Sequence, residues 1–157
     1  AMYSMESFGR HHYEISNYAL PGFESRHNLH YWKADEYLGF GAGAHGYLNQ
    51  ERYQNCGPIQ HYLEPLRNSQ LPILQKDVLS KKSQIAEFMF LGLRKMSGVS
   101  NLEFKRRFGR NMNDIYQDII EDLLEQELIQ LTTEGIALTH KGKFLGNNVF
   151  QAFLLEE

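Results

Sequence analysis

From Ser80 onward, apolar residues recur at helical spacing between clear stop signals, and this succession constrains the fold more than any other feature of the chain. Ser80 is placed to cap a helix whose apolar positions Ile85, Phe88, Met89, Leu93 and Met96 return every three or four residues, with Gly98 as its end. Ser100-x-x-Glu103 reads as a capping box that opens a short helix to Phe108, closed by Gly109. A third helix, over 112–127, repeats Ile115, Ile119 and Leu123 with Tyr116, Ile120 and Leu124 alongside. Residues 128–131 and 136–138 flank Thr132-Thr133-Glu134-Gly135 as a hairpin and its turn, and Thr139 caps a final helix through Phe144, Val149 and Phe153. Helix, helix–turn–helix, two-stranded wing, helix is the winged-helix order.

That order invites a nucleic-acid reading, and the charges oppose it. The helix that would enter the major groove, 112–127, carries Asp114, Asp118, Glu121, Asp122, Glu125 and Glu127 and no Lys or Arg, whereas phosphates demand cations. The chain as a whole has a formal net charge of -3 and a pI near 6.2, with no global pull toward polyanions. Lys105, Arg106, Arg107 and Arg110 read as a solvated face or as partners of those carboxylates. Residues 80–157 are therefore expected to be a packing and interaction module, with no nucleic-acid partner.

The first half has a different texture. Tyr13 to Tyr18 alternates enough for a strand, Leu20-Pro21-Gly22 is a turn, and Ser25 can cap a short helix over 26–33. On that helix His27, His30 and Tyr31 share a face, while Trp32 lies off it. Residues 1–12 carry no readable pattern, and His11-His12 reads as a solvated pair. Tyr37 to Gly46 contains the spacing Gly41-x-Gly43-x-x-Gly46. A dinucleotide site would need a helix directly afterwards, and Tyr47 to Tyr53 continues instead as strand or hairpin sequence. The glycines are better read as letting a ligand or a neighbouring backbone approach a strand end. Pro58 opens an amphipathic helix with Ile59, Tyr62, Leu63 and Leu66, and 68–79, with Pro72, reads as a connector. Ala1-Met2 looks like an expression remnant. Two short strands cannot bury a core alone, so residues 1 to about 75 are expected to be the end of a larger α/β domain.

The chemistry concentrates between His27 and Gly46. A Tyr-Trp pair offers stacking surface to a planar partner, imidazoles offer metal ligands or proton carriers, and glycines admit close approach. These are parts of a ligand pocket, although an amphipathic helix packing its own aromatics would show the same residues. Cys56, the one cysteine, excludes a disulfide within the chain and any iron–sulfur cluster held by the chain's own thiolates. No apolar run reaches about 18 residues. A soluble, cytoplasmic protein without a membrane span is expected.

The run Tyr13-Glu14-Ile15-Ser16-Asn17-Tyr18-Ala19, then Pro21-Gly22, Ser25, His27-Asn28-x-x-Tyr31-Trp32, Tyr37 and Gly39-Phe40-Gly41-x-Gly43-Ala44-His45, resembles the C-terminal part of the oxygen-independent coproporphyrinogen III oxidase-like radical S-adenosylmethionine proteins. The His-Asn-x-x-Tyr-Trp pattern is similar to the haem-chaperone (HemW-like) branch rather than the oxidase (HemN-like) branch. Residues 80–157 resemble the family's C-terminal domain.

The resemblance implies that 1–79 is the last portion of an incomplete (β/α) barrel and 80–157 a winged-helix-like HemN C-terminal domain. It implies S-adenosylmethionine and a [4Fe–4S] cluster held upstream by a Cys-x-x-x-Cys-x-x-Cys motif that this chain lacks, so that the chain alone would be catalytically inert. It places haem binding on His27, Asn28, Tyr31 and Trp32, with His27 as a candidate axial ligand to the iron, and puts Gly41, Gly43 and His45 in the neighbourhood of a second S-adenosylmethionine. A histidine at 45 departs from the apolar residue of true oxidases. The implied partners are haem or a porphyrin, a haem-acceptor protein and the upstream radical S-adenosylmethionine domain. Two functions follow as expectations: delivery of haem to acceptors, or completion of a coproporphyrinogen-decarboxylating oxidase.

Overall fold

Turn residues divide the N-terminal stretch before a long element can form. In the computed structural model, which describes residues 2–155, helix α1 (Met2–Ser7) precedes strands β1 (His11–Glu14) and β2 (Asn17–Ala19). The single strand expected over 13–18 is instead an antiparallel hairpin, with His12 opposite Tyr18 and Glu14 opposite Asn17. The Glu14 carboxylate makes the turn: its Oε1 accepts from the backbone N–H of Ser16 at 3.3 Å and from the side-chain amide of Asn17. Helix α2 (Arg26–Trp32) follows, and its start is as expected: Ser25 Oγ accepts from the Asn28 N–H at 3.3 Å.

Residues 35–81 form one compact unit. It is a meander of β3 (His45–Leu48), β4 (Glu51–Asn55) and β5 (Ile73–Val78), antiparallel in the order β3-β4-β5, with α3 (Ile59–Arg67) between the last two strands. Asn49 and Gln50 join β3 to β4 with φ of 52° and 64°, the left-handed backbone that a two-residue hairpin turn requires. Helix α3 begins after Pro58 as expected. The connector expected over 68–79 is corrected: its second half is β5, paired with β4 from Glu51↔Val78 to Asn55↔Ile73. As an edge strand exposed along most of its length, it has no reason to alternate apolar and polar residues.

Residues up to 34 and from 82 onward form the second unit. After α4 (Lys81–Gly92) come β6 (Val99–Ser100), α5 (Asn101–Phe108), α6 (Asn113–Glu125), β7 (Ile129–Leu131), β8 (Gly135–Leu138), α7 (His140–Phe144) and α8 (Gly146–Ala152). The hairpin β7–β8 was legible, and β6 adds a third strand in the order β6-β8-β7. Phe88, Met89 and Leu93 pack with Phe104, Tyr116, Ile120, Leu123, the strand residues Val99, Ile129 and Ile136, and Val149 and Phe153 in one buried core.

Three further expectations are corrected. Helix α4 ends at Gly92 rather than near Gly98, because the backbone beyond it is taken by β1: Ile15 N–H donates to Arg94 O at 2.9 Å, and Met96 N–H donates to Tyr13 O at 3.1 Å. The final helix is two helices. Thr139 caps the first through Gly142 N–H at 3.0 Å, and Leu145 then leaves helical geometry (φ −110°, ψ 24°). The turn brings Val149 and Phe153 into the core and leaves Phe144 exposed. At the start of α5 only half of the capping box forms: Ser100 Oγ accepts from Glu103 N–H at 3.4 Å, while the Glu103 carboxylate turns to Arg106 and Arg107 at 2.8 and 3.0 Å.

Residues 2–34 pack with those from 82 onward. All three sheets are antiparallel, so the described residues of 1–79 contain no parallel strand pair. No described helix is long and apolar enough to cross a membrane.

Candidate functional site

Helix α2 carries four of the expected site residues, and its geometry sorts them into two groups. His27 is exposed and meets Tyr31 edge-on, ring centroids 4.9 Å apart at 83°. His30, the residue directly before Tyr31, meets the same phenol at 6.4 Å and 76°. Tyr31 and Asn28 are half-buried, and Asn28 contributes its backbone N–H to the Ser25 cap. This face offers imidazole nitrogen and a phenol edge to a ligand. Glu24, just ahead of the helix, has its carboxyl held below the ordinary range by hydrogen bonds from its own backbone N–H and that of Gly22, and by His11, whose Nε2 lies 2.8 Å away. It therefore stays charged at neutral pH.

Trp32 points elsewhere. The guanidinium of Arg94 lies over its ring, Cζ 4.5 Å from the centroid, and 5.6 Å from the ring of Phe150. One face of the indole is thus covered by a cation, an arrangement favourable in itself. Trp32 Nε1 and Arg94 Nε are both buried without a hydrogen-bond partner among the described residues. Arg94 is the residue that sequence reading missed. It sits just past α4, and nothing in its local pattern distinguishes it from a solvated arginine.

The other candidates lie in the unit 35–81, where Gly39 to Ala44 is a loop leading into β3 at His45. Tyr37 closes it against Tyr47 with two backbone hydrogen bonds, 2.7 and 2.9 Å. The buried amide of Asn55 donates to Gly39 O and Gly41 O at 3.2 and 3.0 Å. The Tyr53 and Tyr62 hydroxyls accept from Gly39 N–H at 2.9 Å and from Gly41 N–H at 3.1 Å. The glycines serve this packing. A Cβ on Gly39 would stand 2.1 Å from His45 O, and one on Gly46 would stand 2.1 Å from the Tyr53 ring. The close approach read from the sequence is therefore to neighbouring groups of the same loop and sheet, and β3 rather than a helix follows. Within the loop Phe40 stands 82% exposed, and His45 is exposed as well. Asn55, Tyr53 and Tyr62 were not singled out by sequence. Tyr-x-Asn on one strand was the available signal.

The chemistry of the donor set bears on iron. No group of three or more His, Cys, Asp or Glu side chains able to hold a metal ion occurs among the described residues, and Cys56 is a single half-buried thiol. A thiolate-held cluster needs several such ligands, so these residues do not fit a [4Fe–4S] cluster. His11 is engaged with Glu24, and His12 stacks on Tyr18 at 4.4 Å and 8°. An open cleft of about 380 Å³ lined by Asp122, Gln126, Lys141 and Asn148 contains none of the expected residues.

Residues 79–145 match the family model of the HemN C-terminal domain. Over 155 residues the chain is 46% identical to the heme chaperone HemW of Bacillus subtilis, covering 99% of this chain and 41% of that protein. Over 149 residues it is 49% identical to the heme chaperone HemW of Lactococcus lactis subsp. lactis, covering 95% and 39%. The resemblance to the HemW-like branch is borne out. The chain spans about two-fifths of the length of these HemW relatives. A solved structure described as "Coproporphyrinogen III oxidase (HemN) from Escherichia coli is a Radical SAM enzyme" superposes with a TM-score of 0.74 at 15% identity, over 98% of this chain and 39% of that one. That likeness shows a shared mixed α/β fold.

Proposed function

We propose that the chain is the C-terminal part of a cytoplasmic haem chaperone of the HemW-like kind, which takes up haem and passes it to acceptor proteins. The observation that carries this reading is near-half identity, along almost the whole chain, to proteins named heme chaperones. The sequence His27-Asn28-x-x-Tyr31-Trp32 lies on a capped helix with His27 exposed. In this reading His27 supplies the axial nitrogen, and Asn28, Tyr31 and Trp32 line the haem site. Residues 1–79 complete a radical S-adenosylmethionine barrel, and 80–157 form a winged-helix-like domain. Gly41, Gly43 and His45 lie toward a second S-adenosylmethionine. The cluster and its cysteines belong upstream, and no nucleic acid takes part, since α6 is lined with carboxylates.

A haemin titration of the intact protein followed in the Soret band tests the proposal. Saturable binding is expected, weakened by His27→Ala and by the double change Tyr31→Ala/Trp32→Ala. Haemin uptake no better than that of an unrelated protein would overturn it, and an assay for conversion of coproporphyrinogen III would then decide for the oxidase.

A further inference from the structure

The buried donors around Trp32 lack an acceptor, and that deficit identifies what the site receives. Arg94 is held at its backbone, because its carbonyl accepts from Ile15 N–H at 2.9 Å. Its guanidinium lies against two aromatic rings, Trp32 at 4.5 Å and Phe150 at 5.6 Å. Rings cover the faces of a guanidinium and cannot accept its in-plane N–H groups, so the edge still calls for an oxygen. Arg94 Nε and Trp32 Nε1 are both buried and unpartnered among the described residues. Leaving such donors unsatisfied is costly. Lys76, by contrast, pairs with Glu51, and Arg106 and Arg107 pair with Glu103. Glu14 also has an unpartnered oxygen, but it stands in register with Lys95 and forms no ion pair with Arg94.

We propose that Arg94, with the Trp32 indole N–H as second donor, receives a carboxylate of the bound tetrapyrrole, a propionate at the edge of the haem. The inference rests on the haem reading of α2. A guanidinium fork matches a carboxylate in geometry and charge, and haem is a flat apolar ligand with carboxylates on one edge. His27 and Trp32 are five residues apart on one helix, about 7.5 Å along its axis and on different sides of it, so the part of the ligand assigned to Arg94 is a propionate, which extends beyond the rim of the macrocycle, and not the ring itself. Arg94 is thereby a binding residue supplied from outside the His-Asn-x-x-Tyr-Trp motif.

The test compares haemin with haemin dimethyl ester, whose propionates carry no charge, on the intact wild-type protein and on Arg94→Gln and Arg94→Lys. Wild type should bind haemin roughly tenfold more tightly than the ester. Arg94→Gln should abolish that preference by weakening haemin far more than the ester, and Arg94→Lys should keep part of it. Far-UV circular dichroism and thermal melting verify that each variant is folded. A preference that persists in Arg94→Gln, or a variant that weakens haemin and ester equally, overturns the assignment and makes Arg94 a packing residue that answers Glu14. If haemin fails to bind the wild type, the haem reading has failed and this proposal falls with it. If haemin binds but its preference over the ester ignores Arg94, the haem reading stands and only this proposal falls.

Discussion

Replacing Asn55 removes the one side chain that holds the Gly39–Ala44 loop by two carbonyls at once. Its amide donates to Gly39 O and Gly41 O at 3.2 and 3.0 Å from a position only 4% exposed. Two neutral hydrogen bonds contribute about 1 kcal/mol each, and the abandoned carbonyls add a desolvation cost, so Asn55→Ala should lose about 2–3 kcal/mol locally. Asn55→Asp should lose more, because a carboxylate cannot donate and would face two carbonyl oxygens while buried. Amide hydrogen exchange reads this directly. Gly43 N–H, bonded to Cys56 O at 2.8 Å, should lose about 30-fold to 140-fold in protection, at about 1.4 kcal/mol per tenfold. The Lys105 O bond to Gly109 N–H at the end of α5, in the other unit, serves as a control and should be unaffected. Gly43 protection within twofold of wild type in Asn55→Ala, or Asp tolerated as well as Ala, would refute the role given to the amide.

Three other outcomes are expected. Gly98→Ala should destabilise by at least about 3 kcal/mol in urea unfolding, since φ is +72° and the new Cβ would lie 2.0 Å from Ile136 O in β8; Gly109→Ala, at φ +70° but with no atom within 4 Å, should cost roughly 1–2 kcal/mol. Tyr116→Phe should cost about 1–2 kcal/mol in the same assay, because the hydroxyl donates to Phe153 O at 3.1 Å in the core and burial pushes its pKa well above the usual phenol value. Glu103 is held below 4.5 first by its hydrogen bond from Arg106 and then by that from Arg107. Its contribution is therefore full above pH 4.5 and lost as pH falls through the lower folded value. With 35% of the side chain exposed, the contribution is at most about 0.5 kcal/mol after solvent screening, and Glu103→Gln should flatten that part of the acid limb of the pH–stability curve.

What could be read from the chain followed burial. From Ser80 onward, helix positions sit against one core, so Phe88, Met89, Leu93, Tyr116, Ile120 and Leu123 announce themselves by spacing, and Ser25 and Thr139 announce their helices by capping chemistry. The misreadings arise where local pattern and tertiary demand part company. Tyr13 to Tyr18 has a strand's composition, yet Glu14 folds it into a hairpin through Ser16 and Asn17. Residues 94–96 continue the helical register of α4, but β1 claims their backbone. Strand β5 is an edge with few buried side chains, so its sequence carries no period. At the candidate site, the type and place of α2 were legible from Ser25 and the aromatics. The clamp of Asn55, Tyr53 and Tyr62 and the stacking of Arg94 depend on residues 14 to 62 positions from those they hold, and no local signal encodes such pairs.

The division within α2 changes how its motif should be read. His-Asn-x-x-Tyr-Trp looks like one set of ligand contacts, and a sequence match treats its members alike. On the helix, His27 and Tyr31 share an edge contact on one face, Asn28 takes part in the cap, and Trp32 turns to a cation from beyond α4. These are different physical tasks: iron ligation needs a neutral exposed imidazole, helix initiation needs satisfied backbone N–H groups, and a stacked guanidinium needs a rigid aromatic floor. Loss of the Trp32 ring would therefore act partly through Arg94, removing its floor and one of its few partners. Loss of His27 would leave that pair intact. On the proposed haem reading, the motif would join two halves of one site, an imidazole-bearing half and a cation-bearing half whose second member lies 62 residues further along the chain.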